Sequence, residues 1–338
     1  MIVVFYDAKV HRIVGTIPNQ ITDLSTYFTE SAAFFVTSQC MEKVLNVQNV
    51  NDYARFVGAP QLHPLVSVIH YDELDSCRHS LNHYGVYGLF LMEESPYTIS
   101  YGNAQVQVQG GTLMGVAPGQ TGGISDNGEI IHIKGWVLLF HPDLLKRTHL
   151  EHRMDDFHFF SYYSSEALML APEEWKRIER CIQAIRRELT ENPEDSHLVP
   201  IVVEYIALIL EFTVRFYERQ FRSEKSASDS FIRRLDTFLA RYYAENLQEK
   251  DGIPTVRSCA ENLFLSPNYF GDLVRARTGD SASAYIRRFL MERAKSLLQD
   301  GHTVSETAEA LGFDYPQHFT RVFKKYFGAA PSKYVTRQ

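Results

Sequence analysis

The chain of 338 residues contains 45% hydrophobic and 22% charged residues. This composition is ordinary for a globular protein and excludes a disordered chain, a collagen and a coiled-coil rod, while the length suffices for two or three domains of ~100–200 residues. The N-terminal residues lack the basic and apolar regions of a signal peptide. The most apolar stretch, from Leu198 to Leu210, contains Pro200 and Glu204 and is too short to span a bilayer. We therefore expect a cytoplasmic protein without a membrane partner.

The four cysteines are far apart in the sequence and include no CxxC pair. A zinc ribbon and a disulfide framework both need a characteristic cysteine spacing, so neither is indicated. A reducing compartment fits the spacing of Cys40, Cys77, Cys181 and Cys259.

Charge is distributed unevenly along the chain, whose formal net charge is −7. Residues 228–338 contain 16 basic and 13 acidic residues, which leaves 18 basic and 28 acidic residues in the remainder. Because a basic module can approach a polyanion even when the whole chain is acidic, nucleic acid stays a candidate partner for the C-terminal part alone.

Residues from about Leu62 to Phe140 carry the patterns of short β-strands. Tyr84 to Leu91 is an apolar run of the buried kind, and two further candidate strands, Tyr97–Tyr101 and Ala104–Val108, flank Gly102-Asn103, which is a hairpin signal. Many short strands with Gly-rich turns favour a sandwich or barrel over a parallel sheet.

The pattern becomes helical after this region. Pro172 starts a period that continues through Trp175, Ile178, Ile182, Ile185 and Leu189. A second helix, from about Leu198 to Phe221, is apolar on most faces and must be covered by its own domain, by a partner subunit or by both. Residues 222–230 are polar and small, which predicts a linker, and everything after them is predicted to be helical.

The C-terminal part contains an internal duplication. Residues of the first copy recur 48 positions later and, past one inserted residue, 49 positions later. Identities in a consistent register indicate a repeated structural unit. The first copy has Val256, Ala260, Glu261, Leu263, Pro267, Phe270, Gly279, Ser283 and Tyr285, and the second has Val304, Ala308, Glu309, Leu311, Pro316, Phe319, Gly328, Ser332 and Tyr334.

Each copy predicts a short helix, a tight turn and a second helix. In the first copy the short helix spans Thr255 to Leu263, Phe264-Leu265 form the turn, and Ser266 caps the next helix with Pro267 at its first position. In the second copy the short helix, the turn and the cap are predicted at Thr303–Leu311, Gly312 and Asp314.

The second helix of each copy is predicted to have a buried and an outward face. The buried stripes are Phe270, Leu273 and Val274, and Phe319, Val322 and Phe323. The outward faces hold Asn268, Gly271, Asp272 and Arg275, and Gln317, Thr320, Arg321 and Lys324. Such side chains can read base edges and hold phosphates. A helical bundle with a solvated charged face is the structural alternative.

The helix between the two copies, residues 281–299, would span roughly 28 Å at 1.5 Å per residue. A rod of that length could present the two outward helices to successive major grooves, which lie ~34 Å apart on one face of DNA.

Several motifs of this C-terminal part match a known pattern. The run Leu265–Phe270, with Thr278-Gly279 and Tyr285-Ile286, resembles the first helix-turn-helix of AraC-type transcription regulators, and Ala308–Asp314, Phe319–Lys325 and Phe327–Tyr334 resemble the second. The resemblance covers about Phe231 to Tyr334, a third of the chain. It implies a sequence-specific DNA-binding transcription regulator whose base contacts come from Asn268, Gly271, Asp272, Pro316, Gln317, His318, Thr320 and Arg321, and we add Arg275 and Lys324 as DNA-binding residues.

The same resemblance implies a role for the N-terminal part. Such regulators often carry a cupin-like β-barrel that senses a small molecule, followed by helices that dimerise, and Gly111–Gly119 is similar to a cupin strand and turn in outline. The HxH…E cluster of enzymatic cupins is missing, and we predict neither a metal nor a cofactor. The histidines are scattered at His63, His70, His79, His83, His132 and His141. Core packing is favoured over a pocket lining for most of Tyr84, Tyr87, Phe90, Tyr97, Tyr101 and Trp136.

We therefore predict an α+β chain in three parts. Residues 1–221 form a cupin-like sensor and dimerisation domain, with a β-barrel and a helical hairpin at about 172–221. Residues 222–230 form a linker, and residues 231–338 form an all-α DNA-binding domain with two helix-turn-helix motifs. Double-stranded DNA and a second copy of the chain are the expected partners. A small-molecule effector and RNA polymerase are further candidate partners.

Two other classes of function stay open. A cupin-type enzyme with an appended DNA-binding module would need a metal triad or an activated nucleophile, and the sequence offers neither a His-x-His spacing nor an evident activating neighbour for Cys40 or Cys77. A DNA-repair methyl-transfer protein would need a zinc-binding cysteine cluster, which is missing. We therefore do not expect an enzyme.

The first outward helix departs from the family pattern at Gly271 and Asp272. Glycine offers no side chain, and an aspartate repels phosphates unless it accepts a hydrogen bond from cytosine. This helix is therefore expected to read few bases. The alternative is that Asp272 pairs with Arg275 on its own helix and never meets DNA.

Overall fold

The computed structural model describes residues 44–74, 77–78, 80–93, 99–101, 104–106, 111–123, 130–223 and 225–335. The N-terminal residues considered for a signal peptide, Cys40, His79, Tyr97 and the turn Gly102-Asn103 lie outside this set. Two compact units are present. The N-terminal unit comprises Met1–Met154 and Met169–Ile209, and the C-terminal unit comprises Asp155–Leu168 and Leu210–Gln338.

This division places a short segment, Asp155–Leu168, with the C-terminal helices, although it precedes the helices at 172–223 in the sequence. The segment consists mainly of three short 3-10 turns, the first of which begins one residue earlier: Met154–Asp156, His158–Ser161 and Ser164–Glu166.

The N-terminal unit is built on short, mostly antiparallel strands. A five-stranded sheet has the order β12-β8-β5-β11-β2, and a three-stranded sheet has the order β1-β4-β9. Two further pairs, β10-β3 and β6-β7, complete the described strands. Their bounds are β1 Val44–Val47, β2 Val66–His70, β3 Cys77–Arg78, β4 Leu81–Tyr84, β5 Tyr87–Met92, β6 Ile99–Tyr101, β7 Ala104–Val106, β8 Thr112–Val116, β9 Thr121–Gly123, β10 Ile130–Ile131, β11 Gly135–Phe140 and β12 Leu168–Met169.

These strands confirm the predicted α+β character and the strand-rich region before residue 140. The predicted hairpin flanks do pair, with Ile99 opposite Val106 and Tyr101 opposite Ala104. The apolar run Tyr84–Leu91 is two strands rather than one, because Gly85-Val86 separates β4 from β5. None of the sheets formed by the described strands closes on itself, so the predicted cupin-like barrel is not confirmed.

The helices predicted at 172–189, 198–221, 255–263, 281–299 and 303–311 are present, with small shifts at their ends. Their bounds are α1 Val50–Val57, α2 Pro172–Glu191, α3 Leu198–Ser223, α4 Lys225–Ala244, α5 Gln248–Asp251, α6 Val256–Asn262, α7 Pro267–Thr278, α8 Ala282–Gln299, α9 Val304–Ala310 and α10 Pro316–Phe327. Residues 222–230, predicted as a linker, hold the end of α3 and the start of α4, with residue 224 outside the described set. No helix in the described ranges is both long and apolar enough to cross a lipid bilayer.

Helix α2 lies against the large sheet through one apolar face and a few polar contacts. Ile178, Ile182, Ile185 and Leu189 are buried, as their spacing predicts. The Nε1 of Trp136 on β11 donates to Glu179 at 3.1 Å. At the same helix Arg186 donates to both carboxylate oxygens of Glu73, at 2.7 and 2.5 Å. This guanidinium lowers the pKa of Glu73 to about 2.

Candidate nucleic-acid interface

The two copies of the repeat fold in the same way. Helices α6 and α9 have 7 residues each, and α7 and α10 have 12 residues each. Each short helix starts with a reciprocal threonine cap: Thr255 Oγ1 accepts from the Ser258 N–H at 3.0 Å, and Thr303 Oγ1 accepts from the Glu306 N–H at 3.2 Å. The duplication predicted from the sequence is therefore a duplication of structure.

The turns between the paired helices share a left-handed backbone position but differ in the residue that occupies it. Phe264, in the first turn, and Gly312, its counterpart 48 residues later, both have left-handed backbone angles, with φ values of 59° and 82°. Ser266 caps α7, as predicted, through its Oγ and the Tyr269 N–H at 3.3 Å. The predicted cap at Asp314 is wrong. The inserted residue of the second turn shifts the start of α10, so that Tyr315 is the capping residue and makes no side-chain cap bond.

We expect Gly312→Ala to destabilise the C-terminal unit by about 1–2 kcal/mol, because an L-residue is strained at this φ. An added Cβ would also lie 3.0 Å from the carbonyl carbon of Gly252. Gly271→Ala is the matched control, since nothing lies within 4 Å of its Cβ position and alanine in a helix is favoured over glycine by about 0.5–1 kcal/mol. Urea unfolding followed by far-UV circular dichroism tests both changes. Equal stability of the two variants would contradict the assignment of strain to this turn.

The buried faces of α7 and α10 determine which of their sides point outward. Phe270, Leu273 and Val274 are buried on α7, as are Phe319 and Phe323 on α10. Val322, also predicted on the inward stripe, is half-buried. Helix α8 joins the two motifs over 18 residues, about 27 Å at 1.5 Å per residue.

The outward face of α10 is open to solvent. Gln317, His318, Arg321 and Lys324 are exposed, whereas Pro316 and Thr320 are half-buried. Gln317 and Arg321 lie one turn apart, so their side chains project from the same face. This face offers amide and guanidinium groups of the kind that pair with purine edges, together with a lysine that can hold a phosphate.

The corresponding face of α7 is in contact with the Asp155–Leu168 segment of the same unit. Asn268 Nδ2 donates to Ser161 Oγ at 2.8 Å. Asp272 Oδ2 accepts from the Tyr162 hydroxyl at 2.6 Å and lies 2.9 Å from His158 Nδ1. The sequence alternative paired Asp272 with Arg275, whereas its partners in the structure come from residues more than 100 positions earlier. Arg275 is exposed and Gly271 is half-buried.

A buried carboxylate lies at the start of α7. Glu166 is 3% exposed and accepts from the Ser266 N–H at 2.7 Å and from the Ser266 hydroxyl at 2.6 Å. The Tyr163 N–H donates to it as well, at 2.7 Å. Burial raises the pKa of Glu166, and these hydrogen bonds offset part of the rise. Sequence reasoning missed Glu166, because no local pattern links it to a helix 100 residues away.

Aromatic side chains hold the same segment against α3 and α7. The Tyr162 ring meets Tyr217 and Tyr269 edge to face, with centroids 5.1 and 5.2 Å apart. Burial and the Asp272 carboxylate raise the pKa of Tyr162, so its hydroxyl stays protonated as a donor.

Four of the aromatic and histidine candidates of the N-terminal unit have packing roles. Tyr84, Phe90 and Trp136 are buried in its core, and His70 stacks on Trp136 with ring centroids 3.9 Å apart. Within the described ranges, no three His, Cys, Asp or Glu side chains come together as a metal site. Cys181 and Cys259 are buried free thiols.

A known protein family matches most of the C-terminal repeat. Residues 259–337 match the family model described as a helix-turn-helix domain. The C-terminal part contains a helix-turn-helix domain. A stretch of 79 residues is 40% identical to the transcriptional regulatory protein YesN of Bacillus subtilis, and this stretch covers 22% of this chain and 22% of that protein.

A second relative matches about half of the chain. The transcriptional activator RhaS of Salmonella schwarzengrund is 25% identical over 163 residues, which cover 47% of this chain and 56% of that protein. Both matches span less than two thirds of the relative. Among solved structures, the C-terminal domain of AraT from Geobacillus stearothermophilus is 28% identical and matches with a TM-score of 0.27, covering 31% of this chain and 82% of that one. A score of this size does not establish a shared overall fold.

Proposed function

We propose that the protein is a sequence-specific DNA-binding transcription regulator that reads DNA chiefly through α10. The observation that carries the proposal is the open face of this helix, on which Gln317, Arg321 and Lys324 are exposed opposite the buried Phe319 and Phe323. In the proposal Gln317 and Arg321 contact base edges and Lys324 holds a phosphate.

The remaining predicted contacts have smaller parts in this proposal. Pro316, His318 and Thr320 lie at the start and side of α10, where they would approach the sugar-phosphate backbone or a base edge. Asn268, Gly271, Asp272 and Arg275 belong to α7, which would position the domain more than it reads sequence.

The N-terminal unit is proposed to sense a small molecule, with RNA polymerase as a further partner in the cytoplasm. A cupin-like barrel is part of this proposal. The curated relatives are named as transcription regulators, which favours regulation over a cupin-type enzyme with an appended DNA-binding module.

Genome-wide mapping of the sites that this protein occupies tests the proposal, followed by anisotropy titration of a recovered duplex and its scrambled counterpart. We expect a shared sequence motif and an affinity for the recovered duplex at least about 1,000-fold above that for the scrambled one. Equal affinities for the two duplexes would remove the proposed function.

We also propose a homodimer formed through the helices at about 172–221. Most apolar positions of α3 are covered in the monomer, and its exposed ridge is charged except for Pro200 and Leu208, of which Leu208 is 43% exposed. Sedimentation at tens of micromolar is expected to give a species of twice 38.9 kDa, and Leu208→Glu is expected to shift it toward the monomer. A monomeric wild-type chain under these conditions would end this proposal.

A further inference from the structure

The internal repeat provides its own comparison between two recognition helices. Counting 49 residues on from α7, the outward positions Asn268, Gly271, Asp272 and Arg275 correspond to Gln317, Thr320, Arg321 and Lys324 of α10. The helices have equal length and similar buried faces. Their outward faces differ, since that of α10 is open and that of α7 is occupied by residues of the same unit.

The polar groups on the outward face of α7 complement the residues that cover it. Where α10 has Arg321, α7 has Asp272, and the Tyr162 hydroxyl and the His158 imidazole supply the hydrogen-bond donors that a carboxylate needs. Asn268 meets Ser161 in the same turn. A carboxylate is repelled by DNA phosphates, whereas it accepts hydrogen bonds from donors of this chain. We call residues 158–162 the cover.

The cover has an anchor at one end. Glu166, a few residues on, is buried and accepts two hydrogen bonds from Ser266, the residue that caps α7. If the cover leaves the helix, this anchor keeps it close, and a tethered segment returns at a high effective concentration. The Asp155–Leu168 segment is also covalently continuous at both ends with the N-terminal unit, through Met154 and Met169.

We infer that the cover is an autoinhibitory contact, which masks the first recognition helix and must leave it before both helix-turn-helix motifs can engage adjacent major grooves. This inference rests on the proposed DNA-binding function and specifies how it is regulated. In the masked state only α10 is presented to DNA. Apparent affinity is reduced by the fraction of molecules that are open, so whatever releases the cover raises affinity without changing a single DNA contact.

The opposite role for these contacts is a brace, in which the cover holds α7 in the orientation that DNA binding needs. The two roles predict opposite changes in DNA affinity when the contacts are removed by substitutions in the cover: affinity rises if the cover is inhibitory and falls if it is a brace. Substitutions on Asp272 itself do not separate them, because removal of an acidic group beside DNA raises affinity for electrostatic reasons as well.

The test combines His158→Ala with Tyr162→Phe, which removes both donors to Asp272 without altering α7. His152→Ala, at an exposed histidine six residues before His158, is the matched control. The full-length chains select from a pool of randomised duplexes about 40 base pairs long, which present successive major grooves ~34 Å apart. Affinity for the selected duplex and the hydroxyl-radical footprint are then measured.

We expect the double variant to bind about 10-fold more tightly than wild type and to give the same footprint, because the DNA-bound state has the cover released in both proteins. The control is expected to match wild type. Unchanged or weaker binding by the double variant would assign the brace role and overturn the inference.

A measurement on wild type alone guards against a variant that misfolds. Hydrogen exchange of the cover is expected to rise when the selected duplex is bound, while exchange in α10 falls. Exchange in the cover that is unchanged or slower on DNA overturns the inference. The proposed function is judged separately by Arg321→Ala: if that change lowers the affinity for the selected duplex more than the affinity for random DNA, the function stands whatever the cover does. If neither wild type nor the double variant enriches any sequence, the function and the inference fall together.

Discussion

Replacement of Arg321 with alanine is expected to weaken binding to the selected duplex by about 1–3 kcal/mol and to relax discrimination at one base position. Arg321 is exposed on α10, one turn after Gln317, and an arginine in a major groove pairs in bidentate fashion with guanine. The loss is expected to be largest for the preferred base and small for random DNA, because only the base contact is removed. Anisotropy titrations on a set of single-base variants of the duplex measure it.

Lys324→Ala is the matched control, since Lys324 lies three residues on in the same exposed face. A phosphate contact is blind to sequence, so this change should weaken all duplexes alike and reduce the slope of log affinity against log salt by about 0.9. If Arg321→Ala lowers the affinity for selected and random duplexes equally, the assignment of base reading to Arg321 is wrong.

Replacement of Glu166 with alanine is expected to lower the free energy of unfolding of the C-terminal unit by about 2–4 kcal/mol. The change leaves the Ser266 N–H, the Ser266 hydroxyl and the Tyr163 N–H without their acceptor, and a buried unsatisfied donor costs about 1–3 kcal/mol. Relief of the buried charge offsets part of this loss. Glu166→Gln is expected to cost less, because one amide oxygen remains, although in either orientation its NH2 group faces a backbone N–H.

The two Glu166 variants should also differ from wild type in their pH dependence. The pKa of Glu166 is raised in the folded state, so between its ordinary value and the raised value the folded chain binds more protons than the unfolded chain. The stability of wild type therefore falls as pH rises through this window. Neither variant has this contribution, so the deficit of each relative to wild type should shrink as pH rises.

Optical probes can follow the two units separately. Both tryptophans, Trp136 and Trp175, belong to the N-terminal unit, whereas most helices belong to the C-terminal one. Urea unfolding should therefore shift in far-UV circular dichroism and not in tryptophan fluorescence. A shift in fluorescence alone would place the stabilising role of Glu166 elsewhere.

The C-terminal domain could be predicted almost completely because its signals are local. The spacing of Phe270, Leu273 and Val274 defines a buried face, and Thr255 and Thr303 start helices through residues three positions on. The error at Asp314 has a local origin too. The sequence showed that one residue was inserted between the copies but not on which side of the cap it lies.

The contacts of α7 could not be predicted, for reasons of distance and chemistry. Tyr162 and Asp272 are 110 positions apart, and they meet through a hydrogen bond, which leaves no hydrophobic period in the sequence. The sequence did show that Asp272 departs from a DNA-reading pattern, and this departure was the only available sign. The strand pattern favoured a sandwich or a barrel without choosing between them, and the cupin-like barrel in particular came from a resemblance of overall plan.

The covalent continuity of the Asp155–Leu168 segment with the N-terminal unit at both ends has a thermodynamic consequence. Suppose that a small molecule in that unit frees the cover and thereby tightens DNA binding about tenfold. Linkage then requires that bound DNA tighten the binding of that molecule by the same factor. Copies of the protein already on their operators would fill with effector first, at concentrations that leave the unbound copies empty.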